Sequence, residues 1–231
     1  MTATFSPGSR GRLTHHDLGR FTSDGLFDRL ARAVCRAGCL PRKELYEAWE
    51  VARRTRRLFR GGRVVDVGGG HGLLAHLMLI LDDTSPDAVV VDAAVPLSHH
   101  RLQDALLAVW PRLHGRVVFT GQRLDHVVIT ATDVVVSSHA CGVLTDDVLA
   151  RAADAGARVA VLPCCHDLDV ADDGGLTGWM DGPAAVDAVR AVVLRARGYR
   201  VWTQTIPVAI TPKNRLLIGS KRTHEVLADE V

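Results

Sequence analysis

Short valine-rich runs alternate with helical segments from residue 63 onward, and this alternation most limits how the chain can fold. The runs are RVVDV, DAVVVD, RVVFT, DVVVSS and RVAVLP. They are apolar throughout, without the alternating polar positions of a strand that has one face in water. Two further strands, YRVWTQTIPVAI and RLLIGSKR, close the chain after a last helix. The pattern predicts an α/β fold, a Rossmann-like doubly wound sheet that is mostly parallel and covered by helices on both faces.

The segment before the first strand predicts a helical extension. Apolar residues recur at three-to-four spacing over residues 24–60, and Pro41 divides this region into two helices. We expect a flexible arm over residues 1–22, in which LTHHDLGRF could dock. Residues 23–60 should form a helical cap, and residues 61–231 the main domain.

Composition excludes several classes of protein. The net charge of +2 over 231 residues is too small to indicate nucleic-acid binding by itself. The longest apolar run, GLLAHLMLIL, is too short to span a membrane, and the N-terminus lacks the apolar segment of a signal peptide. Five cysteines fit no disulfide framework. We therefore expect a cytoplasmic protein whose cysteines are core, metal-binding or catalytic residues.

A glycine turn follows the first predicted strand in VVDVGGGHG. Glycine lets the backbone turn sharply and lets a ligand approach the amide groups closely. Asp92 ends the second predicted strand, at about the distance along the chain where an acid meets the ribose hydroxyls of a bound nucleotide. A cofactor that contains ribose is therefore predicted, and a plain strand–helix turn without a ligand is the alternative.

The spacing of Asp66, Gly68, Gly70 and Gly72 resembles the first motif of class I S-adenosylmethionine-dependent methyltransferases. The resemblance implies S-adenosylmethionine as cofactor, with Asp66 near its methionine end, Asp92 on its ribose and Gln122 at its adenine. The other candidates for cofactor binding are Gly69 and His71, in the glycine turn, and Ser138, at the end of the run DVVVSS.

The fourth and fifth predicted strands end in SSHACG and PCCH. Neighbouring parallel strands end at the same edge of a sheet, so these two loops should meet beside the cofactor. His139 is the first candidate for a general base and His166 the second, because imidazole accepts protons near neutral pH. Cys141 and Cys165 are further catalytic candidates. Three other roles for the cysteines remain open: a metal site, a redox pair and simple packing of the thiols. Packing is the favoured role for Cys164.

The two loops together resemble one branch of the methyltransferases, which includes Trm13-type tRNA 2′-O-methyltransferases and the methyltransferase-like 25 proteins. The resemblance covers about residues 60–220, and its marks are His139, Cys141, Gly142, Thr145, Asp146, Cys164, Cys165 and His166. It also implies Asn214 and Arg215, in PKNRLLI, as substrate-binding residues. The tRNA enzymes carry zinc-finger segments that this sequence lacks.

Three functions therefore stay open. The first is methyl transfer to a small-molecule or peptide acceptor, with no membrane partner. The second is RNA methylation, which the arginine-rich segment 42–63 could support by holding phosphates, although such a segment is more often a solvated helix face. The third is a metal-binding or non-catalytic protein on the same fold. A metal is possible but not favoured, because adjacent cysteines rarely both bind one tetrahedral ion.

Overall fold

The computed structural model describes residues 5–222. The first four residues of the predicted arm and the last nine of the predicted domain lie outside the described residues. Helices and strands alternate in the predicted order. None of the helices in residues 5–222 has the length and apolar character needed to cross a membrane.

The helices are α1 (Leu26–Ala37), α2 (Arg42–Leu58), α3 (Leu73–Leu81), α4 (His99–Leu107), α5 (Val143–Ala155) and α6 (Gly182–Ala196). The strands are β1 (Val64–Val67), β2 (Ala88–Val91), β3 (Val117–Thr120), β4 (Val134–Ser137), β5 (Arg158–Val161), β6 (Tyr199–Thr205) and β7 (Arg215–Lys221). Short 3-10 helices cover His15–Arg20, Pro111–Leu113, Leu124–His126 and Leu176–Gly178.

All seven strands form one sheet in the order β3-β2-β1-β4-β5-β7-β6. Strands β1 to β5 are parallel, and β7 is antiparallel to both β5 and β6. The predicted doubly wound α/β sheet is confirmed. The strand order reverses between β1 and β4, and ligands of open α/β sheets bind at such a switch point, beyond the carboxyl ends of the strands.

Hydrophobic residues from both faces of the sheet are buried, in two separate clusters. On β1, Val64 belongs to the cluster that contains α1 to α4, whereas Val65 belongs to the cluster that contains α5. Successive side chains of a strand point to opposite faces, so an apolar run fills both clusters at once. This explains why the strand sequences are continuous apolar runs, rich in valine, without alternating polar residues.

The N-terminal helices share the first of these clusters with the sheet. Helix α2 packs on α3 and α1 packs on α4, and both contribute fully buried side chains, including Leu30 and Leu45. The extension is therefore built on the same core as the strands. In this position α2 lies against the helix that follows the glycine turn.

The segment predicted as a flexible arm docks over much of its length. Leu13 is fully buried, its N–H bonds to the carbonyl of Leu40, and Phe21 is also buried, with its ring edge-on to Phe27. This is the docking that the sequence allowed for LTHHDLGRF, residues 13–21, and its few apolar side chains pack into the α1–α2 pair.

Candidate functional site

A tight turn of five residues connects β1 to α3 at the switch point. Gly68, Gly70 and Gly72 all have positive φ, the region that favours glycine. A Cβ on Gly72 would lie 2.7 Å from Cζ of Phe119, and one on Gly68 would lie 3.4 Å from the carbonyl oxygen of His139. The turn therefore depends on glycine both for its backbone conformation and for space.

Asp66 lies beneath this turn and is completely buried. Its Oδ2 accepts a hydrogen bond of 3.0 Å from the N–H of Ala75, but its Oδ1 has no hydrogen-bond partner among the described residues. Burial, reinforced by the carboxylate of Asp92, raises the pKa of Asp66 to about 7. A buried acceptor without a partner costs free energy, so this atom is available for a bound group.

Asp92 follows β2 and stabilises the glycine turn through hydrogen bonds. Its Oδ2 accepts the N–H of Gly70 and its Oδ1 accepts the N–H of Ala94, both at 2.9 Å. A cleft of about 610 Å³ opens beside it and is also lined by Gly68 and Gln122. Three of the residues predicted to bind cofactor therefore border one cavity.

The far wall of this cleft was not predicted from the sequence. Leu144, Asp147 and Arg151 line it from α5, and Leu124 adds an apolar surface. The α5 residues are spaced by three and four positions, so they share one face of the helix. That spacing was visible in the sequence, but only the packing of α5 on the sheet shows that this face borders the cleft.

The other side of the glycine turn borders a second, much smaller cavity of about 20 Å³. Gly69, His71, Ser138 and His139 line it, together with Glu44 and other residues of α2 and its neighbours. The Nε2 of His71 lies 3.0 Å from the Oγ of Ser98. The remaining predicted cofactor residues therefore flank the same turn.

His139 is half-buried, and burial lowers its pKa below the ordinary value. The carboxylate of Glu47 opposes this shift, and Lys43 adds to it. The imidazole is consequently neutral at pH 7 and can accept a proton. Nearby, burial and the charge of Glu47 raise the pKa of Glu44 to about 7. Neither glutamate was predicted as a site residue, because the charged segment 42–63 is typical of a solvated helix face.

The loops after β4 and β5 meet, as predicted from their strands. The N–H of Gly142 bonds to the carbonyl of Cys165, and the Sγ of Cys141 lies 2.8 Å from the Sγ of Cys164. The Sγ of Cys164 lies 3.8 Å from that of Cys165. Cys164, predicted to be a packing residue, therefore lies in the middle of a thiol cluster.

His166 points away from this cluster. Its side chain is only 2% exposed, and its Nε2 lies 2.8 Å from the Oδ1 of Asp187 on α6. Arg190 and Arg215 pair with the same carboxylate. Although burial opposes ionisation, the hydrogen bonds from His166 and Arg215 lower the pKa of Asp187. The structure thus separates His166, the second candidate for a general base, from His139, the first.

The predicted substrate residues also have contacts within the chain. Asn214 donates from its Nδ2 to the carbonyl of Ile206, and Ile206 donates its N–H to the carbonyl of Asn214. These bonds close the base of the β6–β7 connection. Arg215 lines a separate cleft of about 560 Å³ between α6 and the β6–β7 pair, so the two residues do not border the glycine turn.

A family model described as a methyltransferase domain matches residues 50–170, which is just over half of the chain. The matched segment runs from α2 through β5 and contains the glycine turn, Asp92 and the thiol cluster. No curated protein matches this sequence.

Several solved structures share the fold. An O-methyltransferase family protein from Burkholderia thailandensis has a TM-score of 0.52 at 20% identity, covering 90% of this chain and 64% of that one. Ribosomal protein L11 methylase from Lactobacillus delbrueckii subsp. bulgaricus has a TM-score of 0.50 at 13% identity, covering 77% of each chain. The pyocyanin biosynthetic protein PhzM has a TM-score of 0.50 at 18% identity, covering 90% of this chain and 61% of that one.

This chain spans just under two thirds of the length of the Burkholderia protein. At these identities the likeness establishes the fold, and the family match over β1 to β5 establishes the relationship. The chain belongs to the methyltransferase-domain family and has the Rossmann-like fold of its structural neighbours.

Proposed function

We propose that this protein transfers a methyl group from S-adenosylmethionine to a small-molecule or peptide acceptor, with His139 as general base. One observation carries the proposal. The glycine turn borders the large cleft on one side and the cavity beside His139 on the other. A cofactor held along the turn would therefore extend from the one cavity toward the other.

The residues around the turn fit this cofactor. The unpartnered Oδ1 of Asp66 and the cradle at Gly68 leave room and hydrogen-bonding capacity at one end of the turn. Asp92 would hold the ribose hydroxyls, and Gln122 and Leu124 would border the adenine. When bound, S-adenosylmethionine supplies an electrophilic methyl group on a positively charged sulfur. The carboxylate of Asp92 favours such a positive ligand electrostatically.

His139 would remove the proton from the acceptor atom. Its imidazole is neutral at pH 7, because burial lowers its pKa, and a neutral imidazole is an effective general base. Glu47 is 2% exposed, and one of its carboxylate oxygens has no partner in the described part of the chain. Its negative charge stabilises the imidazolium that forms when His139 takes up a proton.

The α1–α2 extension over residues 23–60 would act as the cap of the acceptor site. Glu44 and Ala48 of α2 line the small cavity opposite His139. An acceptor would reach the transferable methyl group between α2 and the loop after β4. We assign this role to the extension as part of the proposal.

The arginine-rich segment does not favour RNA as the acceptor. Arg53 and Arg54 both pair with Glu50 at 2.9 Å, and Arg56 is buried against Asp82. These carboxylates reduce the positive charge that the three arginines present to a phosphate.

We also propose that the chain lies in the branch that includes the Trm13-type and methyltransferase-like 25 proteins. Its support is the set of marks in the two loops, from His139 and Cys141 to Cys164, Cys165 and His166. The structure brings most of these residues to neighbouring strand ends, and it points His166 toward α6.

Transfer of labelled methyl groups tests the acceptor class. The purified protein is incubated with methyl-labelled S-adenosylmethionine and a fractionated cell extract. We expect label in the small-molecule and peptide fraction, and a decrease of about 10²-fold or more for His139→Ala, the usual contribution of a general base. Calorimetry should show that the variant still binds S-adenosylmethionine.

His126→Ala serves as the matched control, because this histidine is exposed outside both cavities. It should transfer label at the wild-type rate. Label that appears only in material degraded by ribonuclease would overturn the proposal in favour of RNA methylation. Equal transfer by His139→Ala and wild type would remove His139 from the mechanism.

The dependence of rate on pH provides a separate prediction. Burial lowers the pKa of His139 below its ordinary value of 6.5, so the base form predominates above that pH. We expect kcat/KM to rise with pH in the acid range and to be level from about pH 7 upward. A profile measured at constant ionic strength that still rises steeply above neutrality would contradict a neutral His139 as the base.

A further inference from the structure

Three cysteines form a cluster at the ends of β4 and β5. The Sγ atoms of Cys141, Cys164 and Cys165 all lie within 4.8 Å of one another. Cys141 and Cys165 are exposed, and Cys164 is half-buried. The remaining cysteines, Cys35 and Cys39, are buried in the N-terminal core. The methyl-transfer mechanism proposed above uses none of these thiols.

Two of the three sulfurs have the spacing of ligands on one thiophilic metal ion. Zinc–thiolate bonds measure about 2.3 Å, so two thiolates on a tetrahedral ion lie about 3.8 Å apart. The Sγ atoms of the adjacent Cys164 and Cys165 are 3.8 Å apart, so these adjacent cysteines can both reach one ion. The Sγ of Cys141 lies 2.8 Å from that of Cys164, about 1 Å closer than two such ligands, so the Cys141 side chain would turn away from Cys164 to bind the ion.

The surrounding charge also fits. Three thiolates and one Zn²⁺ ion carry a net charge of about −1, and nearby cations stabilise such a centre. Lys213 and Lys43 act on the Cys165 sulfur with positive charge. Burial raises the pKa of Cys141 and Cys164, so a bound ion would have to displace the protons of these two thiols.

We propose that Cys141, Cys164 and Cys165 bind one zinc ion through three thiolates, with a fourth position open to water. Binding would release the thiol protons to solvent and leave no sulfur oxidised. Soft thiolate ligands select zinc over calcium and magnesium, and an open fourth position is typical of zinc sites that bind exchangeable ligands. The ion would join the loops after β4 and β5, at the edge of the sheet that also carries His139.

Zinc titration of the untagged protein tests this site. The full chain is reduced, stripped of metal and titrated with Zn²⁺ in competition with a chromophoric chelator. We expect one ion per chain, with loss of stoichiometric binding in Cys141→Ser and in Cys165→Ser. Cys39→Ala is the control, because that cysteine is buried outside the cluster, and it should bind as the wild type does.

Alkylation of the native protein gives a second readout that does not depend on any single variant. Bound Zn²⁺ should protect the three cluster thiols from iodoacetamide, as located by mass spectrometry. Circular dichroism verifies that each variant is folded. Zinc retained by the triple serine variant would overturn the proposal, as would a Cys141–Cys164 disulfide in protein kept under reducing conditions. Neither readout requires methyl transfer, so failure here is distinct from failure of the proposed function.

Discussion

Replacing Asp92 with alanine should weaken the binding of S-adenosylmethionine by about 100-fold or more. Asp92 supports the glycine turn by accepting the N–H groups of Gly70 and Ala94, and we propose that it also accepts the ribose hydroxyls. A hydrogen bond to a charged group contributes about 1.5–3 kcal/mol, so two such bonds account for this loss. Isothermal titration calorimetry with S-adenosylmethionine measures it directly.

The matched control is Asp104→Ala, an exposed aspartate on α4 outside the cleft, which should bind with wild-type affinity. Asp92→Asn keeps one acceptor oxygen but loses the negative charge, and it should fall between the wild type and Asp92→Ala. If Asp92→Ala bound S-adenosylmethionine as tightly as the wild type, the cofactor would not contact Asp92, and the proposed arrangement along the turn would be wrong.

Replacing Arg56 with methionine should destabilise the protein by about 3–5 kcal/mol. The Arg56 side chain is 2% exposed, and its Nη1 pairs with the Oδ2 of Asp82 at 3.0 Å. It also donates to the carbonyl of Met78 and to the hydroxyl of Ser85. Burial lowers the pKa of Arg56 to about 10, so it is charged at pH 7. Its loss would remove the nearest cation from the buried Asp82, which would keep hydrogen bonds from Gly61 and Thr84.

At about 2–4 °C for each kcal/mol in a domain of this size, the melting temperature should fall by roughly 10 °C. Urea denaturation provides the free energy of unfolding. Arg57→Met is the matched control, because the neighbouring arginine is exposed, and its effect should stay within about 0.5 kcal/mol. Similar small losses for both variants would show that the Arg56–Asp82 pair contributes little to stability.

The order of helices and strands was predictable because it depends on local sequence. Valine runs too apolar for a solvated face indicate buried parallel strands, and glycine positions with positive φ, such as Gly72, mark the turn where a side chain would collide with Phe119. The meeting of the loops after β4 and β5 was also predictable, since neighbouring parallel strands end at one edge. Such features require only the hydrophobic pattern and the chemistry of turns.

The burial and the partners of individual polar side chains could not be predicted in this way. Arg56 and Arg57 are adjacent and chemically identical, yet one is buried in an ion pair and the other is exposed. His139 and His166 both follow strands in the same edge of the sheet, yet the second turns toward Asp187. In both cases the partner is distant in the sequence and reaches the side chain only through packing.

Periodicity and turn chemistry act over a few residues, so the α/β sheet and the glycine turn over Asp66 could be predicted from the amino-acid sequence. Packing was needed to show that Cys164 joins Cys141 and Cys165 in one thiol cluster, and that Glu44 of α2 borders the cavity beside His139. Both results have the same cause. Contact between distant residues depends on how whole elements pack, and the direction of each side chain is fixed only when its neighbours are in place.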